Sequence, residues 1–484
     1  MTQTATSSLL EALPPREAAV VGRLGRVFAE EGHELVLVGG IVRDALLGRP
    51  LPSDLDFATD ALPDRTQALG EAAGASSVYL VGAKFGTVGL VFANVDDEGE
   101  GPPIQVEITT YRSEHYPDES RKPEVAFGTS LVDDLARRDF TINAMAADAV
   151  TGQIIDPFDG QADLARGIIR AVGNPDERFQ EDPLRLLRAA RFVAQLGFLI
   201  EPETKEAMAR QAQSLGRISK ERIYSELTRL LTGEYASHGL QALLETGLLV
   251  VAMPELAPLA AEAESGAWPR RAHREKDVWD HTLKVVDRTP PRPIVRWAAL
   301  LHDAAKPLTR TVDATGAVHF FGHEREGAAL ASRLLGRLKA DKATQTAVAR
   351  LVELHLRPAA YEPDWTDSAV RRLMLEAGDL LEDLLDLAAA DVTSARAHKQ
   401  RTAAMRIESL RERVRRLEEE QALAQLKSPL DGDELMALFG RPPGRWIAII
   451  KDHLRELVID GELAPDDKET ATRIAREMIE RGEA

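Results

Sequence analysis

A change of texture at about Asp163 constrains this chain more than any other feature. Before it, short β-rich runs at Leu35–Val38 (LVLV), Thr87–Phe92 (TVGLVF) and Ile104–Thr110 (IQVEITT) are separated by Gly, Pro and Asp clusters. After it, Ala, Leu, Arg and Glu recur at helical spacing and strand runs are few. The pattern predicts an α/β head followed by an all-α remainder. With 484 residues and roughly 150 per domain, about three domains are expected. Ala263–Pro269 and the polar stretch Ser394–Gln400 read as boundaries, and Asp96–Pro103 as a surface hairpin loop. Arg401–Gln421 reads as a charged helix with Met405, Leu410, Val414 and Leu417 as a sparse apolar stripe. Its basic part, RERVRR, runs into EEE, which fits a solvated connecting helix better than an RNA-contacting one.

Composition narrows the function classes. Lys and Arg, 60, against Asp and Glu, 78, leave a net charge of −18. That argues against a protein that coats polyanions, while local basic surface can still hold nucleic acid. The absence of cysteine excludes disulfides, thiolate metal sites and a cysteine nucleophile, and fits a reducing compartment. The first residues lack a basic start and an apolar core, unlike a signal peptide. No run approaches the ~18 apolar residues of a membrane span. A soluble cytoplasmic protein without membrane contact is expected.

The strand-like LVLV runs into Gly39-Gly40 and then IVRDALLG, which has helical spacing. A strand, a glycine turn and a helix start form a phosphate-holding arrangement, because backbone N–H groups approach the anion unhindered. Arg43, in the first turn, can add a charge-assisted contact. Alone, such a glycine pair is more often a tight structural turn. The next feature shifts the balance. In Ser53-Asp54-Leu55-Asp56-Phe57 two carboxylates sit two apart among apolar residues, so on a strand both face one side. Such oxygens suit Mg²⁺. A third carboxylate on a neighbouring strand, for which Glu107 is the candidate, would complete a two-metal site.

The run VGGIVRDALLG…SDLDFAT resembles the tRNA nucleotidyltransferase/poly(A) polymerase family, the bacterial class of polymerase-β-like enzymes. RRDFTINA at Arg137–Ala144, DPFDGQADL at Asp156–Leu164 and EDPLRLLRAARF at Glu181–Phe192 follow in order. The resemblance implies a nucleotidyltransferase head over residues 1–155 and a helical neck over 156–262. It implies template-independent addition of C and A (CCA) to the 3′ end of tRNA from CTP and ATP, with two Mg²⁺ and release of pyrophosphate. Asp54, Asp56 and Glu107 would be the catalytic carboxylates, with Asp54 and Asp56 as metal ligands. Gly39, Gly40, Arg43 and Arg138 would lie at the nucleotide, and Asn143 would make a structural or sugar-side contact. A-only addition to tRNA ending in CC, and poly(A) polymerase activity, are the alternatives within the family.

Asp182-Pro183 reads as a helix start, with Asp as N-cap and Pro at the first helical position. Arg185, Arg188 and Arg191 then share a face, which an ordinary helix would simply leave solvated. Base chemistry offers a second reading. Cytosine and adenine each present an amino donor beside a ring acceptor, whereas guanine and uracil present a carbonyl oxygen in its place. One carboxylate and one guanidinium therefore select C and A. The resemblance assigns that task to Asp182 and Arg185, and the triphosphate or helix orientation to Arg188 and Arg191. Ser113–Val125 is polar and contains two prolines. In the family a flexible loop here assists the change from CTP to ATP and is shortened in enzymes that add only CC. Its ordinary length here, with Asp118, Arg121 and Lys122, leans against CC-only addition.

His281, His302-Asp303, His323, His355 and Asp391 form a second constellation, able to hold a divalent metal without thiolates. A lone histidine in an apolar helix is more often a core residue. The ordered set resembles the HD-domain phosphohydrolases, which implies a helical HD-type domain over residues 263–400 with phosphodiesterase or phosphatase activity as a further alternative. Leu430–Leu463 resembles the family's tail, implying a helical tRNA-binding segment over 401–484.

Overall fold

The computed structural model describes residues 9–482, except 52–53, 82–85, 94, 96–100, 116–123, 129, 266–277, 393–396, 426–427 and 460–461. The core of the expected hairpin loop at Asp96–Pro103 lies outside these residues. So do Asp118, Arg121 and Lys122, most of the expected boundary Ala263–Pro269, and the first three residues of the boundary Ser394–Gln400, whose remainder is helical. The backbone divides into two compact units between Glu353 and Leu354.

In chain order the first unit opens with α1 (Pro15–Glu30), β1 (Leu35–Val38), α2 (Gly40–Leu46), β2 (Asp54–Thr59), α3 (Pro63–Ala72), β3 (Ser77–Val81), β4 (Thr87–Phe92) and β5 (Ile104–Thr110). Then come β6 (Arg112–His115), β7 (Glu124–Phe127), α4 (Leu131–Ala136), β8 (Ala146–Asp148) and β9 (Ile154–Ile155). Seven strands form one mixed sheet in the order β3-β4-β5-β2-β1-β8-β9. β2 and β5 run parallel, while the sheet's other pairs are antiparallel.

Alternation along the central strands fixes which face is core. On β2, Leu55 and Phe57 are buried while Asp54 and Asp56 are exposed; on β5, Ile104, Val106 and Ile108 are buried between Gln105 and Glu107. The apolar face is covered by α1 and α3, with Val20, Val21, Leu24 and Phe28 of α1 fully buried at helical spacing. Each such side chain stabilises by about 1.5–3 kcal/mol relative to exposure. The acidic face is left for chemistry. A slip of one residue in either strand would reverse this, so burial pins the register.

Ser113–Val125, expected to be a polar loop, begins and ends as strands: β6 and β7 pair antiparallel, Arg112 opposite Phe127 and His115 opposite Glu124. Its middle lies outside the described residues.

The neck supplies α5 (Gly160–Arg166), α6 (Pro175–Glu181), α7 (Leu184–Leu196), α8 (Pro202–Gln211), α9 (Lys220–Leu231) and α10 (Ala236–Glu245). α7 packs on α9 and α10 and is buried along nearly its whole length. Its start corrects the expected capping. Asp182 is the C-cap of α6, Pro183 is the N-cap of α7, and α7 begins at Leu184. Asp182 still caps in substance, since its Oδ1 accepts from the Leu184 N–H at 3.1 Å. α9 then meets helix Pro293–Leu301: Trp297 stacks on Tyr224 with centroids 5.9 Å apart, and its Nε1 donates to Thr228 Oγ1 at 3.0 Å.

In the second unit, helices Asp367–Ala377 and Leu381–Asp391 pack on the long helix Ala397–Gln425. Arginines of that helix meet carboxylates of the same unit. Arg411 meets Glu382 and Asp386, Arg413 meets Asp367, and Arg416 meets Asp367 and Glu420. Further on, Leu435, Ile450, Leu454, Ala471 and Ala475 make a separate small core, its first helix opened by a capping box from Asp431 and Glu434.

Candidate functional site

A cleft of about 690 Å³ opens in the first unit between the acidic face of the sheet and α7. β1 delivers the chain to Gly39, which adopts φ 77° and ψ −132°, a conformation that favours glycine. A Cβ there would also stand 3.3 Å from Arg138 Nη1. Gly39 and Gly40 therefore line the cleft with backbone.

The parallel pairing of β2 with β5 sets Asp56 directly opposite Glu107, and both line the cleft. Asp54 sits two residues back on the same face, exposed, and is not among the lining residues. The Asp56 carboxyl is raised above its ordinary value. Although its side chain stays open to solvent, the cleft walls partly desolvate it, and Glu107 and Asp54 repel its charge, against the favourable pull of Arg138. Crowded carboxylate oxygens of this kind are what a hard divalent cation would relieve, so the donor set fits such an ion.

Arg138 Nη2 pairs with buried Asp134 at 3.3 Å, and its Nε is buried without a hydrogen-bond partner among the described residues. An unmatched buried donor is costly, and an anion in the cleft would satisfy it. Arg43 is clamped: Nε and Nη2 donate to Asp44, both at 2.9 Å, and Nη1 donates to Asn143 Oδ1 at 2.8 Å. Asn143 Nδ2 in turn donates to Asp139 Oδ1 at 3.1 Å. Asp139 receives Arg188 at Oδ2, from Nε at 2.7 Å and from Nη2 at 2.6 Å. Burial alone would push the Asp139 carboxyl up. Arg188 and Asn143 outweigh it and hold the group below its ordinary value.

On α7 and its approach, Asp182 and Arg185 both line the cleft. Asp182 Oδ2 pairs with Arg222 of α9 at 3.1 Å. Arg185 Nη2 donates to the Arg137 carbonyl at 2.7 Å, and Nη1 to Glu181 at 3.1 Å. Arg191 lies 2.9 Å from buried Glu226 of α9, as an ion pair too poorly aligned to be a hydrogen bond. Burial brings its pKa down to about 10, against the pull of Glu226.

Thus Gly39, Gly40, Arg43, Asp56, Glu107, Arg138, Asp182, Arg185, Arg188 and Arg191 converge on one cleft, with Asp54 beside it. Sequence reasoning gave no role to Arg112, Asp134, Arg137, Asp139, Phe192, Gln195 or Arg222, which also line it. Arg137 and Asp139 stood within the RRDFTINA motif and Phe192 ended EDPLRLLRAARF. Arg222, in a separate helix, carried no signal.

In the same unit His281, His302, Asp303 and His323 form a buried cluster. Asp303 Oδ2 lies 3.2 Å from both His281 Nε2 and His302 Nε2, and Oδ1 lies 3.5 Å from His323 Nε2. Burial would raise the Asp303 carboxyl, but His302, His281 and Lys306 hold it well below the usual range. His355 and Asp391 belong to the second unit: His355 is buried ahead of helix Leu356–Ala359, and Asp391 ends helix Leu381–Asp391.

Family models match three successive stretches of the chain. The Poly A polymerase head domain matches residues 35–170, the probable RNA and SrmB-binding site of polymerase A matches 197–259, and the HD domain matches 277–396. The CCA-adding enzyme of Geobacillus thermodenitrificans (strain NG80-2) is 42% identical over 292 residues, 60% of this chain and 63% of that protein. The chain therefore spans a little under two thirds of that relative's length. The CCA-adding enzyme of Geobacillus kaustophilus (strain HTA426) is 39% identical over 309 residues, 63% of this chain and 70% of that protein. Among solved structures, the Bacillus stearothermophilus CCA-adding enzyme in complex with CTP is similar with a TM-score of 0.58 at 29% identity, covering 97% of this chain and 100% of that one. The Thermotoga maritima CCA-adding enzyme complexed with tRNA shares the fold at 18% identity and a TM-score of 0.53, covering 97% of each chain. With a polymerase head, an RNA-binding neck and an HD domain in this order, and a relative 39% identical matched over 70% of its length, the chain belongs to the CCA-adding enzyme family.

Proposed function

We propose that this chain adds C and A to the 3′ end of tRNA from CTP and ATP, releasing pyrophosphate. One observation carries the reading: the β2–β5 register sets Asp56 beside Glu107 on the wall of a cleft that also holds Asp182 and Arg185. The RNA 3′-hydroxyl attacks the α-phosphorus, the bond to the bridging oxygen breaks, and pyrophosphate leaves with the electron pair. Asp54 and Asp56, with Glu107 beside them, would hold two Mg²⁺, which lower the pKa of the hydroxyl and neutralise charge on the leaving group. Asp182 accepts from the base amino group and Arg185 donates to the ring acceptor, so C and A are chosen without a nucleic-acid template. Arg138 and Arg188 meet the triphosphate, over the backbone of Gly39 and Gly40. A tRNA substrate implies work in the cytoplasm.

The test supplies transcripts ending at the discriminator base, at C and at CC with CTP, ATP or both. Extension of all three to CCA is expected, and Asp54→Ala with Asp56→Ala should abolish it while RNA still binds. Extension of the CC-ending transcript alone would make this an A-adding enzyme. Long A tails would make it a poly(A) polymerase.

The buried cluster of His281, His302, Asp303 and His323 supports a second, phosphohydrolase activity on phosphate ends. Release of phosphate from 2′- or 3′-phosphorylated RNA, lost in Asp303→Asn with CCA addition retained, is its expected signature.

A further inference from the structure

We propose that Phe192 is a positioning residue for the cleft, its ring holding the guanidiniums of Arg43, Arg188 and Arg191 together against a nucleoside triphosphate. The proposal rests on the nucleotidyl-transfer reading above. The three guanidinium carbons lie over the ring at 5.2, 5.5 and 4.3 Å from its centroid. They come from two helices, Arg43 from α2 and the others from α7. Each is anchored on another side by its own carboxylate: Arg43 by Asp44, Arg188 by Asp139 and Arg191 by Glu226.

Three like charges gathered at one wall repel one another, and carboxylates alone would draw them apart. The negative face of an aromatic ring attracts cations, most strongly where water is excluded. Phe192 is only 3% exposed. Phe140 meets it edge-on at 5.7 Å and 84°, which fixes the ring's plane. An aliphatic side chain would fill the space without that attraction. All four residues line the cleft, and a triphosphate is the ligand whose charge density answers three guanidiniums. Because the triphosphate is common to CTP and ATP, the contribution of Phe192 is the same for both.

The test replaces Phe192 in the full chain by mono-, di- and trifluorinated phenylalanine, which keeps the ring's shape and progressively weakens its negative face. Binding of CTP and ATP with Mg²⁺ is measured by calorimetry without RNA, beside the extension rate at saturating nucleotide. The expected result is a stepwise rise in Kd, alike for both nucleotides, reaching roughly 3- to 10-fold at the trifluorinated ring, with any fall in the saturated rate likewise common to both. Phe192→Leu, after a check that it melts cooperatively, should weaken both nucleotides as well. A Kd that stays flat along the series, or a loss confined to one nucleotide, overturns the role of Phe192 while the proposed function stands. Failure of the parent protein to bind either nucleotide overturns both.

Discussion

Asp139 is densely bonded in the cleft wall. It takes two guanidinium nitrogens of Arg188, the amide of Asn143 and the N–H of Phe140. The unfolded carboxyl takes up its proton near the ordinary value of 3.8, while the folded one does so only at lower pH. Its stabilisation is therefore complete above that value and is lost as pH falls through the folded pKa. The expected outcome is a melting temperature that declines on acidification below about pH 4, with a shallower decline in Asp139→Asn. Scanning calorimetry from pH 3 to 7 would check it, and equal slopes in the two proteins would remove Asp139 from the account. Asp139 was visible in the sequence as part of a motif, yet its task was not. Nothing in one chain shows that it faces Arg188, 49 positions away.

At the scale of elements, α9 joins the cleft to the next helical layer. Arg222 reaches Asp182, Glu226 holds Arg191, Thr228 takes the Trp297 N–H, and the Leu231 carbonyl accepts from buried Arg296. Glu226→Gln would leave the Arg191 charge buried without its partner. We expect a stability loss of about 3–5 kcal/mol, read as a lower urea midpoint, and weaker binding of both CTP and ATP. An unchanged midpoint would show that the pair contributes nothing to the fold. The strands were legible to unequal degrees. β1, β4 and β5 coincide with their β-rich runs, because burial of apolar side chains, continuous in β1 and alternate in β5, leaves a pattern in each strand itself. β3 at the sheet edge, SVYLV, and the β6–β7 ribbon were not read. Each becomes a strand by pairing with the next strand along the chain, β3 with β4 and β6 with β7, rather than through a pattern of its own. The start of α7 was misplaced by one residue, since Pro183 took the capping position expected of Asp182.

For the whole molecule, net charge says little about where RNA lies. The long helix Ala397–Gln425 was readable from sequence, and so was its excess of arginine. The structure adds that Arg411, Arg413 and Arg416 already face carboxylates. Arg416→Ala should therefore change tRNA affinity by less than about 2-fold at physiological salt, where a lost phosphate contact would cost more. A filter-binding titration decides this, and a large loss would place RNA on that helix after all. The order of head, neck and helical domains was legible because texture and motifs are local. The second constellation was legible as residue types, and only folding buries His281, His302, Asp303 and His323 in one place.

The cleft's lining also bears on inhibition. Eight arginines and five carboxylates face a space of about 690 Å³. A neutral, drug-like compound entering it would displace the water around those groups and return few hydrogen bonds of comparable strength. Selective inhibitors are better sought as charged mimics of a nucleotide, which carry the phosphates those guanidiniums would meet.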